Sequence, residues 1–283
     1  MSRWLAGLRI ARIIVVVATV LSCRSHAAAV DPHDATAAGI RDNSFLVEEA
    51  YNQEPGVVQH IFSFQLDLDG GQNRAWQATF TQEWPIFSQT HQFSYTIPVN
   101  YFESAGDSAG GIGDVELHYR LQALSETATR VALAPRFTLI LPTADEDRGL
   151  GDGSVGYELA LPLSKIVADR WTVHGNAGVT HRPDVQDQDL TSYFLGASAI
   201  WAPARDLNLL VEWVGQWDQV LDDDAASTHR DFVSAISPGL RYALNFENDA
   251  QLVVGLATPI GLTPDSPDWG VFVYLSFEHG FGR

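Results

Sequence analysis

Gln92-Phe93-Ser94-Tyr95-Thr96-Ile97-Pro98-Val99-Asn100-Tyr101 alternates polar and apolar side chains without a break. In a strand, successive side chains point to opposite faces. Phe93, Tyr95, Ile97, Val99 and Tyr101 therefore share an oily face, and Gln92, Ser94, Thr96, Pro98 and Asn100 a wet one. A strand of ~9–11 tilted residues crosses a bilayer. Only a closed sheet leaves no backbone N–H or C=O unpaired in hydrocarbon. About twelve such segments recur from Val57 to Phe281. They fall near 57–67, 75–85, 91–101, 113–123, 130–142, 154–164, 171–182, 191–201, 207–218, 231–243, 250–258 and 269–281. The expected fold is all-β: a transmembrane antiparallel β-barrel of about twelve strands over 57–283, preceded by a short segment, 30–56.

The connections support this reading. With the first strand running outward, the even-numbered connections face the periplasm and should be short. They span Ile86–Thr90, Leu124–Thr129, Lys165–Arg170, Ala202–Asp206 and Phe246–Asp249. The others, 68–74, 102–112, 143–153, 183–190, 219–230 and 259–268, are longer and rich in Gly, Asp and Pro. Bulky rings should mark two lipid–water interfaces. Trp76, Tyr101, Tyr193, Trp217, Phe232 and Trp269 fall at the outer strand ends, and Trp84, Phe93, Trp171, Trp201, Tyr242 and Phe281 at the inner ones. The last segment puts Val271, Val273, Leu275, Phe277, His279 and Phe281 on one face. It resembles the terminal signal by which the outer-membrane assembly machinery takes its clients, apart from His279 in the lipid-side row and Gly282-Arg283 after the final aromatic.

The beginning of the chain sets the compartment. Arg3, Arg9 and Arg12 flank or enter the apolar run Ile13–Leu21, and Ala27-Ala28-Ala29 follows. This is the layout of a secretory signal peptide, residues 1–29, and the run is short for a membrane-spanning helix. Export to the cell outer membrane is expected. The single cysteine, Cys23, lies in this leader, so no disulfide is expected in the mature chain. Val20-Leu21-Ser22-Cys23 loosely resembles a lipoprotein box, yet the alanine run downstream suffices for ordinary cleavage. Net charge is −18, and the leader removes Arg3, Arg9, Arg12 and Arg24 but no acid. An acidic surface disfavours nucleic acid. The expected partners are membrane lipid, lipopolysaccharide, the assembly machinery and a small-molecule solute.

Residues 30–56 do not alternate. Asn43–Tyr51 has the makings of a short helix with Ser44 as N-cap, stopped by Pro55-Gly56. Such a piece could hug the periplasmic mouth or enter the lumen as a plug, with Phe45, Glu48, Glu49 and Tyr51 as its candidate residues.

In register, the inward rows carry charge: Glu116, His118, Arg120, Arg136, Glu158, His174, Glu212, Arg241 and Glu278, with Glu83 and Arg182 beside them. Charges out of water must be paired or hydrated. Two readings stay open: a polar ladder lining a narrow path, or a salt-bridge network that fills a small barrel. Catalysis finds little support. Ser227 and His229 have the spacing of a base and nucleophile but sit in reverse order beside an acidic loop. His181, Asp184 and Asp187 lie near a rim where acids are plentiful. Asp222–Asp224 lacks the ligand spacing of a calcium loop. No enzyme activity, cofactor or metal is expected.

Asn43-Ser44-Phe45-Leu46-Val47-Glu48-Glu49-Ala50-Tyr51-Asn52-Gln53-Glu54-Pro55-Gly56-Val57-Val58-Gln59-His60, Gly111-Ile112-Gly113-Asp114-Val115, Pro135-Arg136-Phe137 and Leu141-Pro142-Thr143 together resemble the signatures of a proteobacterial outer-membrane family. It is known as the Putative MetA-pathway of phenol degradation family, or simply as "transporter". The resemblance implies an outer-membrane barrel that moves small, often aromatic or hydrophobic, compounds by passive or weakly selective permeation. It brings no catalytic residues. An occluded structural or surface-interaction barrel is the alternative, and a barrel lipase or protease a remote one.

Overall fold

The computed structural model describes residues 31–70, 73–104, 107–222, 227–247 and 249–281. The leader, Cys23 and the centre of the Asp222–Asp224 loop lie outside them. Each alternating segment forms a strand: β1 (Val57–Asp69), β2 (Asn73–Ile86), β3 (Ser88–Ser104), β4 (Asp107–Ile112 and Val115–Leu121), β5 (Ala132–Leu133 and Arg136–Leu141), β6 (Gly156–Ala160 and Leu163–Ala168), β7 (Trp171–Val185), β8 (Gln188–Ala204), β9 (Leu207–Leu221), β10 (Thr228–Asn245), β11 (Gln251–Ala257 and Ile260–Gly261) and β12 (Trp269–Gly280). Neighbours pair antiparallel in sequence order. The last strand pairs with the first from Val57↔Gly280 to Leu68↔Trp269, which closes the barrel.

Three of the four split strands break at a proline: Ala134-Pro135 in β5, Leu161-Pro162 in β6 and Thr258-Pro259 in β11. Proline has no N–H to give the ladder. In β4 the break is Gly113-Asp114, whose Gly113 N–H donates to Pro98 O at 2.9 Å. Beyond Val115↔Leu141, β4 pairs only with β3. The wall there is completed by residues 142–155, where Leu150 is buried against Gly111. Arg182 pins this segment, its Nη1 lying 2.8 Å from Asp114 and 3.1 Å from Asp152.

The barrel is inside-out relative to a water-soluble domain. Phe62 (50% exposed), Leu195, Val211, Leu240, Leu256 and Val273 form an apolar outer belt, while Gln59, Gln92, Glu212 and Arg241 are buried within. That belt meets the requirement of a lipid-facing surface. Aromatic pairs sit on it where the sequence put the girdles. Trp76 stacks on Tyr101 (5.7 Å between ring centroids) and Trp217 on Phe232 (4.7 Å) toward one end; Trp84 stacks on Phe93 (6.0 Å) and Trp171 on Trp201 (6.4 Å) toward the other. We call the end that carries the start of β1 and the end of β12 proximal, and the opposite end distal.

Two expectations need correction. The strands run past the girdles, so the connections 68–74, 102–112 and 183–190 are largely extended hairpin and not loop. The segment between β4 and β5, 122–131, is longer than several distal turns. Cross-strand pairing evidently continues outside the hydrocarbon, where alternation of hydropathy no longer marks it. The second correction is the lead-in. Asn43–Tyr51 is not helical; among the described residues the one helical turn before β1 is Thr36–Gly39. Its first N–H, on Thr36, donates to Asp169 at the β6–β7 turn (3.0 Å).

Candidate functional site

The lead-in enters the barrel from the proximal end and fills that half of the lumen. Its backbone has no secondary-structure partner, so its amides and carbonyls must find side chains, and the inward rows supply them. Leu46 and Val47 N–H donate to the Glu212 carboxylate (each 3.0 Å to Oε1). Ala50 N–H donates to Ser164 Oγ (2.7 Å), Asn52 N–H to Gln122 (2.9 Å) and Gln53 N–H to Gln92 (2.8 Å). Arg120 donates to Asn52 Oδ1 (2.9 Å), Tyr51 O (2.7 Å) and Glu49 O (3.3 Å). Arg241 donates to Asp42 O (2.8 Å) and Asn43 O (2.6 Å). This explains why the segment is not a helix: a helix satisfies its own amides, whereas here fixed acceptors on β3, β6, β9 and the 122–131 connection take them one by one.

All four candidate plug residues lie in the lumen. Phe45 packs on Phe272 and Tyr274 (5.4 and 5.3 Å between centroids). Its ring occupies the space a Cβ on Gly255 would need, and Val47 does the same at Gly196. These glycines let the lead-in approach the wall closely. Tyr51 donates its hydroxyl to Glu126 (2.5 Å) and stands edge-on to His174. Glu48 lies between two arginines, 3.0 Å from Arg120 and 3.0 Å from Arg136. Arg120 and Arg136 are directly opposite in the β4–β5 register, so the lead-in supplies the charge that separates them.

Glu49 is buried beside Asp42, Arg241 and Arg120. Burial, reinforced by the nearby Asp42 charge and opposed by the two arginines, pushes its carboxyl up to about 8 from an ordinary 4.5. The seated form binds the proton more tightly than the unseated form, so seating is strongest below pH 4.5 and weakens as pH rises through 8. Protease cleavage within 42–54 is therefore expected to increase between about pH 5 and pH 9, and Glu49→Gln is expected to flatten that profile. A flat wild-type profile, or an unchanged slope in the variant, would contradict it.

Every inward charge expected from the sequence faces the lumen, but they divide into two groups. Arg120, His174, Glu212, Arg241 and Glu278 lie at the level of the lead-in and are buried or bonded to it. Gln53, for example, contacts both Glu278 (3.3 Å) and Gln59. Glu116, His118, Arg136 and Glu158 stand around a cavity of about 400 Å³ floored by Asn43–Glu48, with Arg136 reaching Glu48 on that floor. Arg136 Nη2 donates to Glu158 (2.7 Å), which also accepts from Thr180 (3.0 Å). His118 bonds Thr96 (3.0 Å) and Thr138 (2.9 Å) through its two ring nitrogens. One group thus stands around open space, and the other clasps the lead-in.

Sequence reasoning missed Asp42, Gln59, Gln92, Gln122, Ser164 and Asn208, which hold the lead-in or its anchors. The signal was available: uncharged amides recur at inward positions near the proximal strand ends.

The arrangements considered for catalysis do not assemble. Ser227 donates to Asp222, not to His229, whose Nδ1 lies 2.7 Å from the same Asp222. His181 bonds Thr191 (3.0 Å). Asp184 and Asp187 belong to the tight β7–β8 turn, with φ of 56° and 66°.

The family model described as "Putative MetA-pathway of phenol degradation" matches residues 42–261, beginning where the lead-in enters the lumen. Among solved structures, the chain is similar to the COG4313 outer membrane channel from Pseudomonas putida F1, with 14% identity and a TM-score of 0.62 over 82% of this chain and 98% of that one. It also aligns with the NanC porin (8% identity, TM-score 0.46, 80% and 100% covered). A third alignment is with the β domain of the Bordetella autotransporter BrkA (11% identity, TM-score 0.47, 81% and 100% covered). Likeness at these identities concerns the fold. Against curated proteins the sequence finds no match.

Proposed function

We propose that this chain, which belongs to the Putative MetA-pathway of phenol degradation family, is an outer-membrane channel for the passage of small molecules, with the lead-in as its plug. Passage is passive or weakly selective, and aromatic or hydrophobic compounds are the solutes the family description favours. The oily belt is the part that meets lipid and lipopolysaccharide, and β12 is the strand offered to the assembly machinery after export by the leader. No catalysis is assigned to it.

One observation carries the reading. The distal half of the lumen is a cavity lined by polar and charged side chains, while the proximal half is filled by a segment attached mainly through hydrogen bonds and ion pairs. Such contacts exchange with water at a net cost of about 0.5–1.5 kcal/mol for a neutral hydrogen bond and about 1.5–3 kcal/mol for one to a charged group. A greased core segment does not. The number of these contacts also supports a second reading, an occluded barrel that works through its distal loops. Deleting residues 43–56 and recording planar-bilayer conductance separates the two. A plug predicts a large rise in conductance and a graded liposome-swelling response across sugars, amino acids and aromatic compounds. Unchanged conductance with the barrel still folded would remove the plug, and silence in swelling would favour the occluded barrel.

A further inference from the structure

Resting on the passage reading, the geometry of the distal cavity points to its solute. We propose that it is a binding site for a small organic cation, an amine carried on an aromatic or apolar body, with Glu116 as the counter-charge.

The cavity has two unlike walls. One is formed by Ile61 on β1, Phe272 and Tyr274 on β12, and Phe45 of the lead-in. Facing it across the barrel are Glu116 on β4, Arg136 on β5, Glu158 on β6 and Asn176 on β7. A volume of about 400 Å³ is in the range of small-molecule sites, which are commonly apolar with a few placed polar groups.

The polar wall is not balanced. Glu48, Glu83, Glu116 and Glu158 line the cavity with one guanidinium, Arg136. That guanidinium is already engaged by Glu48 (3.0 Å) and Glu158 (2.7 Å). Glu48 is also held by Arg120, and Glu83 accepts from Gln92 (2.7 Å). Glu116 differs. Its nearest cationic candidate is His118 Nε2, at 3.6 Å and already bonded to Thr96, and its side chain is 37% exposed to the cavity. Independently, the Asn176 side-chain oxygen is buried without a donor. The cavity thus presents a carboxylate that wants a donor and a positive charge, beside an amide oxygen in the wall that lacks a donor.

Ligand classes separate on these terms. A carboxylate or phenolate entering here meets four carboxylates and one guanidinium, which Glu48 and Glu158 already neutralise although its Nε has no acceptor. A neutral alcohol offers one donor and no charge. An ammonium brings three donors and a positive charge to the Glu116 side, while its aromatic or apolar body lies toward Phe45, Phe272 and Tyr274 on the other wall. The acids at the distal rim, Asp145, Glu146, Asp147 and Asp152, act in the same sense, since a funnel of one sign concentrates the opposite ion.

The test uses three ligands of one shape: benzylamine, benzyl alcohol and benzoate. Binding to the full mature chain in detergent is measured by titration calorimetry, and uptake of each into proteoliposomes is measured separately. Benzylamine is expected to bind at least about tenfold more tightly than benzyl alcohol, with benzoate weakest. Glu116→Gln is expected to erase that margin while leaving the alcohol unchanged. Heat-modified gel mobility checks that the variant is folded; should it not be, Asn176→Ala is expected to weaken amine binding in the same way. Equal binding of all three, a preference for benzoate, or an amine preference that survives Glu116→Gln overturns the proposal. Selective amine binding without uptake of any ligand counts against passage and leaves the site standing; uptake without amine preference does the reverse.

Discussion

Glu48→Ala should unseat the lead-in and raise single-channel conductance several-fold. Glu48 accepts a hydrogen bond from Arg120 at 3.0 Å and forms an ion pair with Arg136 at 3.0 Å, with only 13% of its side chain exposed. Those arginines face each other across β4 and β5. Arg136 keeps Glu158 when Glu48 is lost, but Arg120 keeps only neutral acceptors on the lead-in, with Glu83 at 3.9 Å as its nearest remaining carboxylate. Removing one partner of a buried ion pair costs about 3–5 kcal/mol because the other charge stays behind. Partial hydration at Arg136, 22% exposed, puts the effect toward the lower figure. Even so, about 3 kcal/mol moves the seated-to-unseated ratio roughly a hundredfold. Two measurements read it: conductance in planar bilayers, and protease cleavage within 42–54. Glu48→Gln, which keeps one acceptor, should fall between wild type and alanine. If neither conductance nor cleavage moves in the alanine variant, the lead-in is not held by this pair.

The second large effect distinguishes two arginines that look equivalent in sequence. Arg241 is 2% exposed and donates to Asn208 (3.0 Å), Asp42 O and Asn43 O. Arg241→Met leaves those acceptors without a donor inside the barrel, at about 1–3 kcal/mol for each group that water cannot reach. The expected result is a marked fall in the temperature at which the folded band disappears on a gel, with ion selectivity unchanged. Arg136 lines the cavity. Arg136→Gln removes the one cation there and should shift the reversal potential toward cations, with a smaller stability loss. A selectivity change from Arg241→Met with stability intact would place that side chain on the permeation path instead.

The barrel was legible because its rule is local. Phe93, Tyr95, Ile97, Val99 and Tyr101 must share a face if they are in a strand, whatever the rest of the chain does, and the same parity places Glu116, Arg136, Glu158, Glu212 and Arg241 inward. The His60–His279 contact, 3.2 Å between their Nε2 atoms on the lipid face, shows what parity leaves undecided. It depends on which residue of β12 meets which residue of β1, and that is set only when the barrel closes.

The lead-in was half legible. Its failure to alternate marked it as separate, and Phe45, Glu48, Glu49 and Tyr51 were its candidate residues, but the expected helix is absent. Helix propensity describes a segment that must satisfy its own backbone. This one lies in a lumen where Glu212, Ser164, Gln122, Gln92 and Arg241 are already positioned to do so. Loop lengths misled for a related reason: strands continue into water on cross-strand hydrogen bonds, which carry no hydropathy signature.

By itself, then, the order of residues determined strand number, the facing of each side chain and the oily exterior, because these follow from a two-residue period and the cost of unpaired backbone in hydrocarbon. Tertiary structure alone decided which inward charges stand around open space and which clasp the lead-in, because that depends on where residues 42–54 come to rest against strands far away in the chain. Glu48 between Arg120 and Arg136, and Glu116 left facing the cavity, are consequences of that placement and of nothing nearer in sequence.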